Sequence, residues 1–287
     1  MHVVKHEFER GLLDELSSLV SAAGQAILAA RLRPLRPRAK SDQSPVCAAD
    51  EAAEAVILDG LARLLPGVCV VSEEAAARSS PGSLPSIFVL VDPLDGTRDF
   101  LAGRDEFTVN VAIVESGRVT LGIVGAPARG TLWRGIEGGG ADRLQLEPGA
   151  PARGARERAA IKVRPCPASG LVVAVSRSHL DGQTEAFVAR LPVLTRLACG
   201  SAIKFCELAQ GTADCYPRLS PTCEWDVAAG HAVLAAAGGL VLTPDGQALR
   251  YGQAQRVFRI EAFVAWGDPA GFERFGAGEL RGAVPAP

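Results

Sequence analysis

Apolar residues recur along positions 7–32 at mostly three-to-four spacing, as Phe8, Leu12, Leu16, Leu19, Ala23, Ile27 and Ala30. That period predicts an amphipathic helix, closed by the stretch carrying Pro34 and Pro37. A second helix is expected over 48–65 on Ala52, Val56, Leu61 and Leu65, stopped by Pro66-Gly67. The pattern then turns strand-like. Residues 68–72 read as a short buried strand ending on Glu73-Glu74, 75–86 as a polar loop, and 87–91 as an interior strand running straight into Asp92-Pro93. Segments 107–115 and 118–124 are β-rich and meet at Ser116-Gly117, a hairpin turn. The first half is therefore expected as two helices on a meandering sheet, of α+β type.

Stretch 137–158 holds Gly138-Gly139-Gly140, two prolines and repeated charges, and is expected as surface loop and domain boundary. This gives an N-terminal unit over 1–150 and a C-terminal unit over 151–287. In the latter, strands are expected at 171–175, 214–216, 240–243 and 263–266. Helices are expected at 181–191, 202–210 and 225–237, the last ended by Gly238-Gly239. Strands alternating with helices argue an α/β second half.

Composition narrows the class. Of 287 residues, 48% are hydrophobic and 22% charged, which excludes a disordered chain. Thirty basic against 32 acidic residues, with no basic run, excludes the electrostatic footprint of a nucleic-acid-coating protein but leaves room for a small anionic ligand. Seven scattered cysteines without a C-x-x-C pair read as reduced thiols, and four dispersed histidines disfavour zinc. No run of eighteen apolar residues occurs, so no membrane span is expected, peripheral association staying open. The first sixteen residues carry charges where a signal peptide needs an apolar stretch, and a cytoplasmic location is expected.

The candidate chemistry lies in VDPLDGTRDF. A buried strand ends on Asp92, Pro93 forces a sharp exit, and Asp95 follows three residues later. Burying two carboxylates costs several kcal/mol unless cations or hydrogen bonds compensate. Magnesium, a hard ion that favours carboxylate, carbonyl and water oxygens, would supply that compensation through both aspartates and the Leu94 carbonyl. The amides of Gly96 and Thr97 could hold an anion such as phosphate. The same residues also suit a plain turn. Glu73 sits at the end of the preceding strand, with Glu74 read as its solvated neighbour. Asp226 opens an alanine-rich helix with almost no other charge, where it also suits a plain first-turn acid. This acid-rich oxygen set points to magnesium and phosphate chemistry.

Three blocks in order, Ser72-Glu73-Glu74, DPLDGT over 92–97 and WDVAAG over 225–230 with a following AGG, resemble the signature of the inositol monophosphatase-like superfamily of magnesium-dependent, lithium-sensitive phosphatases. KSDQSPVCAAD, GRDEFTVNVAIVESG, VSRSH, GSAIKFCELAQGTADCYPR and SPTCEWDVAAGHAVLAAAGG resemble its bisphosphate-nucleotidase branch, and the similarity spans residues 10–267. Cys47 departs from the branch's usual threonine, Cys223 lies in a variable position, stretch 137–158 is longer and more polar than the branch has, and 258–266 matches loosely.

The resemblance implies a layered α/β/α/β/α sandwich with the site between an α+β and an α/β half. It implies one magnesium on Glu73, Asp92 and the Leu94 carbonyl and a second on Asp92, Asp95 and Asp226. A third, weaker ion near Glu73 would have its water shell bound by Asp50. Asp50 would also orient Thr97, whose hydroxyl positions the attacking water, so that Asp50, Glu73 and Thr97 form the catalytic set. The implied substrate is adenosine 3',5'-bisphosphate, cleaved to AMP and phosphate by a monomer or homodimer. Gly96, Thr97, Ser176, Ser178, His179, Ser201, Lys204, Arg218 and Asp226 would contact it. Taken alone, Lys204 and Arg218 read as solvated surface charges and His179 as a local cap. Inositol monophosphatase or a broader sugar-phosphatase is the alternative activity, and a metal-binding protein without catalysis is the alternative class.

Overall fold

The stripe predicted over 7–32 forms helix α1 (His2–Arg31), with Leu13, Leu16, Leu19, Val20, Ala23 and Ile27 buried. The computed structural model describes residues 2–33, 38–39, 45–78, 82–177 and 181–276. After α1 come a two-strand ribbon, β1 (Arg38–Ala39) and β2 (Pro45–Val46), then α2 (Ala48–Leu64), β3 (Cys69–Ser72), α3 (Glu73–Arg78), β4 (Ile87–Asp95) and α4 (Thr97–Leu101). An antiparallel run follows: β5 (Thr108–Glu115), β6 (Arg118–Ala126), β7 (Thr131–Ile136), β8 (Gly140–Gln145) and β9 (Glu157–Ile161). The second half holds β10 (Leu171–Ser176), α5 (Gly182–Val188), β11 (Val193–Cys199), α6 (Ile203–Ala209), β12 (Cys215–Arg218), β13 (Thr222–Cys223) and α7 (Glu224–Ala236). It closes with β14 (Leu240–Leu242), β15 (Arg259–Ile260) and β16 (Phe263–Trp266).

Strands β3 to β9 form a seven-stranded sheet in sequence order, parallel only between β3 and β4. The second sheet has five strands in the order β11-β10-β12-β16-β14, its first three parallel. Alternation sorts the apolar side chains into layers. Val89, Val91, Val109 and Val111 join α1 and α2 in one outer core. Phe88, Leu90, Ala112 and Val114 face α6 and α7 in a central core, which the second sheet enters through Ala174, Phe263 and Ala265. Val173, Val175, Val264 and Trp266 point the other way, onto Phe187 and Val188 of α5. The layers thus run α1/α2, sheet, α6/α7, sheet, α5.

Two loop expectations are corrected. Residues 140–145, inside the expected surface loop, are strand β8, paired on both sides by β7 and β9. Its charges suit a strand near the sheet edge, where Arg134 of β7, 2% exposed, bonds Asp142 and Asp14 of α1. The first sheet accordingly runs to Ile161, past the boundary expected at 150. The expected loop over 75–86 begins with the last turn of α3.

The hairpin between β5 and β6 is as expected, with Glu115 paired to Arg118 and both Ser116 (φ 51°) and Gly117 (φ 78°) left-handed. Residues 10–31 of α1 are long and apolar enough to cross a membrane by length and composition, yet their apolar stripe is spent on α2 and the first sheet.

Candidate active site

Parallel pairing of β3 with β4 sets Ser72 opposite Val91, so Glu73 follows directly beside Asp92. Regular alternation would then put Asp92 and Asp95, three residues apart, on opposite faces of the sheet. It does not, because the register slips: Asp92 faces Asn110 while Asp95 faces Thr108. One extra residue on β4 makes a bulge at Pro93-Leu94, where proline's missing N–H costs no ladder bond. The bulge drops Leu94 into the outer core and returns Asp95 to the face of Asp92, toward α7. Asp226, in the first turn of α7, meets them from above.

Glu73, Asp92, Leu94, Asp95, Gly96, Thr97, Ser176, Ser201, Lys204, Arg218 and Asp226 line one cavity between the two sheets. Asp50, 2% exposed, reaches it through Thr97, whose hydroxyl lies 3.1 Å from Asp50 Oδ1 and 3.1 Å from the Leu94 carbonyl. Ser178 and His179 lie outside the described residues. Glu74, expected to be solvated, is buried.

Two helix starts share one device. Asp50 and Asp226 are both third residues of their helices, and each accepts the N–H of a capping cysteine, Cys47 (2.9 Å) and Cys223 (3.1 Å). The Cys47 thiol also donates to Asp50 Oδ2 at 3.0 Å, and burial with that contact pushes it up to about 11, which keeps it protonated and inert. Asp226 Oδ2 further accepts the Thr222 hydroxyl. Asp95 receives weaker support, from Thr108 Oγ1 at 3.5 Å and Asn110 Nδ2 at 3.4 Å. Burial and the neighbouring Asp226 push its carboxyl up to about 6, against the opposing pull of Lys204 and Arg218.

No group of three or more His, Cys, Asp or Glu spaced to hold a metal ion occurs among the described residues. The donor chemistry nevertheless fits a hard divalent cation: four carboxylates and a carbonyl line the cavity, among them the half-buried Asp95 crowded by Asp226.

The rest of the lining is cationic and aromatic. Lys204 is 2% exposed, held by the carbonyls of Ser201 (2.7 Å) and Cys199 (3.3 Å) and seated 5.1 Å above the Tyr216 ring. Its residue-by-residue reading as a solvated charge is corrected by that burial. Arg218, opposite Phe263 across the β12–β16 ladder, keeps a buried Nε without a partner. Phe205, Tyr216 and Phe263 form an aromatic trio with centroids 5.1–5.4 Å apart, and all three line the cavity.

Tyr216 and Phe263 were not read as site residues. Their strands come together only through the β12–β16 pairing, and Tyr216, one of two tyrosines in the chain, was the available signal. Also missed was Glu54, whose Oε1 accepts Ser72 Oγ (2.6 Å) and Ala75 N–H (3.1 Å) and so brackets Glu73.

This architecture is shared with known proteins. The inositol monophosphatase family matches residues 11–264. The 3'(2'),5'-bisphosphate nucleotidase CysQ of Escherichia coli (strain K12) is 40% identical over 242 residues, covering 84% of this chain and 94% of that protein. The crystal structure of CysQ from Bacteroides thetaiotaomicron, a bacterial member of the inositol monophosphatase family, superposes with a TM-score of 0.74 at 30% identity, over 90% of this chain and 97% of that one. The inositol monophosphatase of Anabaena (Nostoc) sp. PCC 7120 has the same fold, with a TM-score of 0.72 at 23% identity, over 96% of this chain and 97% of the other. With the family model matched over 11–264, a relative 40% identical along most of both chains and the fold in agreement, the chain belongs to the inositol monophosphatase family.

Proposed function

We propose that this chain is a magnesium-dependent phosphomonoester hydrolase that converts adenosine 3',5'-bisphosphate to AMP and inorganic phosphate. The observation that carries the reading is one cavity lined by carboxylates together with a buried lysine and a half-buried arginine, in a chain 40% identical to a protein named a bisphosphate nucleotidase. Glu73, Asp92 and the Leu94 carbonyl would hold one magnesium, and Asp92, Asp95 and Asp226 a second. A third would sit near Glu73 within reach of Asp50. Bound there, the ions supply a water of lowered pKa and neutralise charge on the transferring phosphoryl group.

The chain's own groups do the orienting. Asp50 cannot turn, because Cys47 N–H and Sγ hold its Oδ2. Its Oδ1 accepts the Thr97 hydroxyl proton, leaving lone pairs on Thr97 to accept a hydrogen bond from the attacking water and aim it in line. Gly96 permits this turn: its φ is 91°, and a Cβ there would lie 2.3 Å from Ser201 Oγ. Lys204 and Arg218 would bind the second phosphate, with Ser176 and Ser201 nearby. Tyr216 and Phe263, packed against each other, would form the apolar lining beside the base.

An inositol phosphate would meet the same carboxylates but leave Lys204 and Arg218 without an anion. That is the reason for preferring the nucleotide. The reading carries a cytoplasmic enzyme, monomeric or homodimeric. Phosphate release from adenosine 3',5'-bisphosphate, measured before and after chelation and dialysis, tests it. Activity should vanish and return with magnesium, and full activity in the chelated protein would contradict the metal assignment.

A further inference from the structure

One carboxylate that the mechanism does not use joins the two walls. Glu106 precedes β5 in the first half, is 17% exposed, and reaches three groups that belong to other elements. Its Oε2 accepts Gly200 N–H at 2.9 Å. Its Oε1 accepts Arg177 Nη2 at 2.9 Å and Arg129 Nη2 at 3.3 Å. Its backbone carbonyl lies 2.7 Å from Ser201 Oγ, which is also 2.9 Å from the Asp95 carbonyl.

The contacts converge on one short loop. Ser201 stands at φ 53°, a left-handed conformation that a side-chain-bearing residue avoids unless its surroundings enforce it. Gly200 has no room for a side chain, since a Cβ would lie 2.7 Å from the Glu106 carbonyl and 2.9 Å from Asp99 Oδ2. Lys204 Nζ is held by the carbonyls of Cys199 and Ser201, the residues on either side of Gly200. Whatever fixes Gly200 therefore fixes the ammonium. Arg177, next to Ser176 at the end of β10, is tied to the same carboxylate and to the Ala198 carbonyl at 2.8 Å.

We propose that Glu106 is a positioning residue that sets the remote-phosphate end of the cavity, Lys204 above all, relative to the hydrolytic end at Asp95–Thr97. The inference rests on the nucleotidase reading, in which Lys204 meets the second phosphate. It makes a signed prediction. Removing a carboxylate that acted only through its charge would strengthen anion binding and lower KM. Removing a positioning residue raises KM for the substrate that needs Lys204 and leaves other substrates alone.

The test is steady-state kinetics of the magnesium-loaded wild type, Glu106→Ala and Glu106→Gln with adenosine 3',5'-bisphosphate and with 3'-AMP, which offers the same scissile phosphate and no second one. Glu106→Ala should raise KM for the bisphosphate about tenfold, with kcat changing less than about threefold. Both parameters for 3'-AMP should stay within about twofold of wild type. Glutamine keeps an acceptor for Gly200 N–H but loses the charge that pairs with Arg177, so its rise should be smaller, about two- to fivefold. Should Glu106→Ala fail to fold, Glu106→Gln alone decides. An equal loss for both substrates, an unchanged KM or a lowered KM would overturn the proposal. A wild type that handles the two substrates equally would instead overturn the second-phosphate reading, independently of the variants.

Discussion

The carboxylate wall of the cavity is laid out mainly by the pairing of two neighbouring strand ends, with Asp226 added by α7, whereas the cationic wall is set by contacts that reach across both halves of the chain. Glu73, Asp92 and Asp95 come from two adjacent parallel strand ends, and a one-residue bulge aligns the last two. Lys204 and Arg218 come from a helix and a strand beyond the first sheet, and their setting depends on Glu106, Tyr216 and Phe263. The energetics differ as well. Burial first and the neighbouring Asp226 second push the Asp95 carboxyl up, whereas Lys204 is held in place by two carbonyls and a ring face, none of which carries a full negative charge. A wall built on mutual repulsion calls for a cation. A wall built on a pre-set cation calls for an anion, and it decides which anion.

The largest effect should come from breaking the repelling wall. Asp95→Asn or Asp226→Asn should lower kcat/KM by at least about 10²-fold, because each removes charge that a metal uses in the transition state. Thermal stability of the metal-free protein should move the other way for Asp95→Asn. The folded Asp95 titrates near 6 instead of 3.8, so the native state binds more protons than the unfolded chain between those values. Wild-type stability therefore falls as pH rises through that window, while the asparagine variant lacks this loss. Metal-free melting curves at pH 4.5 and pH 7 should show the variant gaining on wild type by about 1–3 kcal/mol at the higher pH. A constant difference would mean that Asp95 carries no strained charge.

A smaller effect should come from the other wall. Lys204→Ala should raise KM for adenosine 3',5'-bisphosphate by about 10- to 150-fold, the worth of one charged hydrogen bond, and lower kcat less. Hydrolysis of 3'-AMP should barely change. Equal losses on both substrates would place Lys204 in the scaffold and remove the contrast between the walls.

The same contrast explains what the sequence disclosed. DPLDGT and WDVAAG are each legible as local blocks, and the cavity contains Asp92, Leu94, Asp95, Gly96, Thr97 and Asp226 together, a meeting of the two blocks that the family resemblance implied and local spacing did not. The bulge that makes this possible is not legible there: the pattern reads as a strand ending at Asp92 with a sharp exit at Pro93, whereas β4 continues through the bulge to Asp95 because β5 pairs with it on both sides of the slip. Strand β8 was hidden because Gly138-Gly139-Gly140 and its charges carry turn composition, while its pairing partners are supplied by the fold. Glu106 was invisible for a different reason. Its partners Arg177 and Gly200 lie in the other half of the chain, and no periodicity encodes a contact of that range.

The central claim is that the metal-facing wall sets the reaction class and the cationic wall sets the substrate. Its most direct test is kcat/KM for adenosine 3',5'-bisphosphate and inositol 1-phosphate, measured side by side on the magnesium-loaded wild type. The bisphosphate should win by at least about 10²-fold, the product of two or more charged contacts that inositol 1-phosphate cannot make. Equal or faster turnover of inositol 1-phosphate would contradict the assignment of the cationic wall and leave a phosphatase of different specificity.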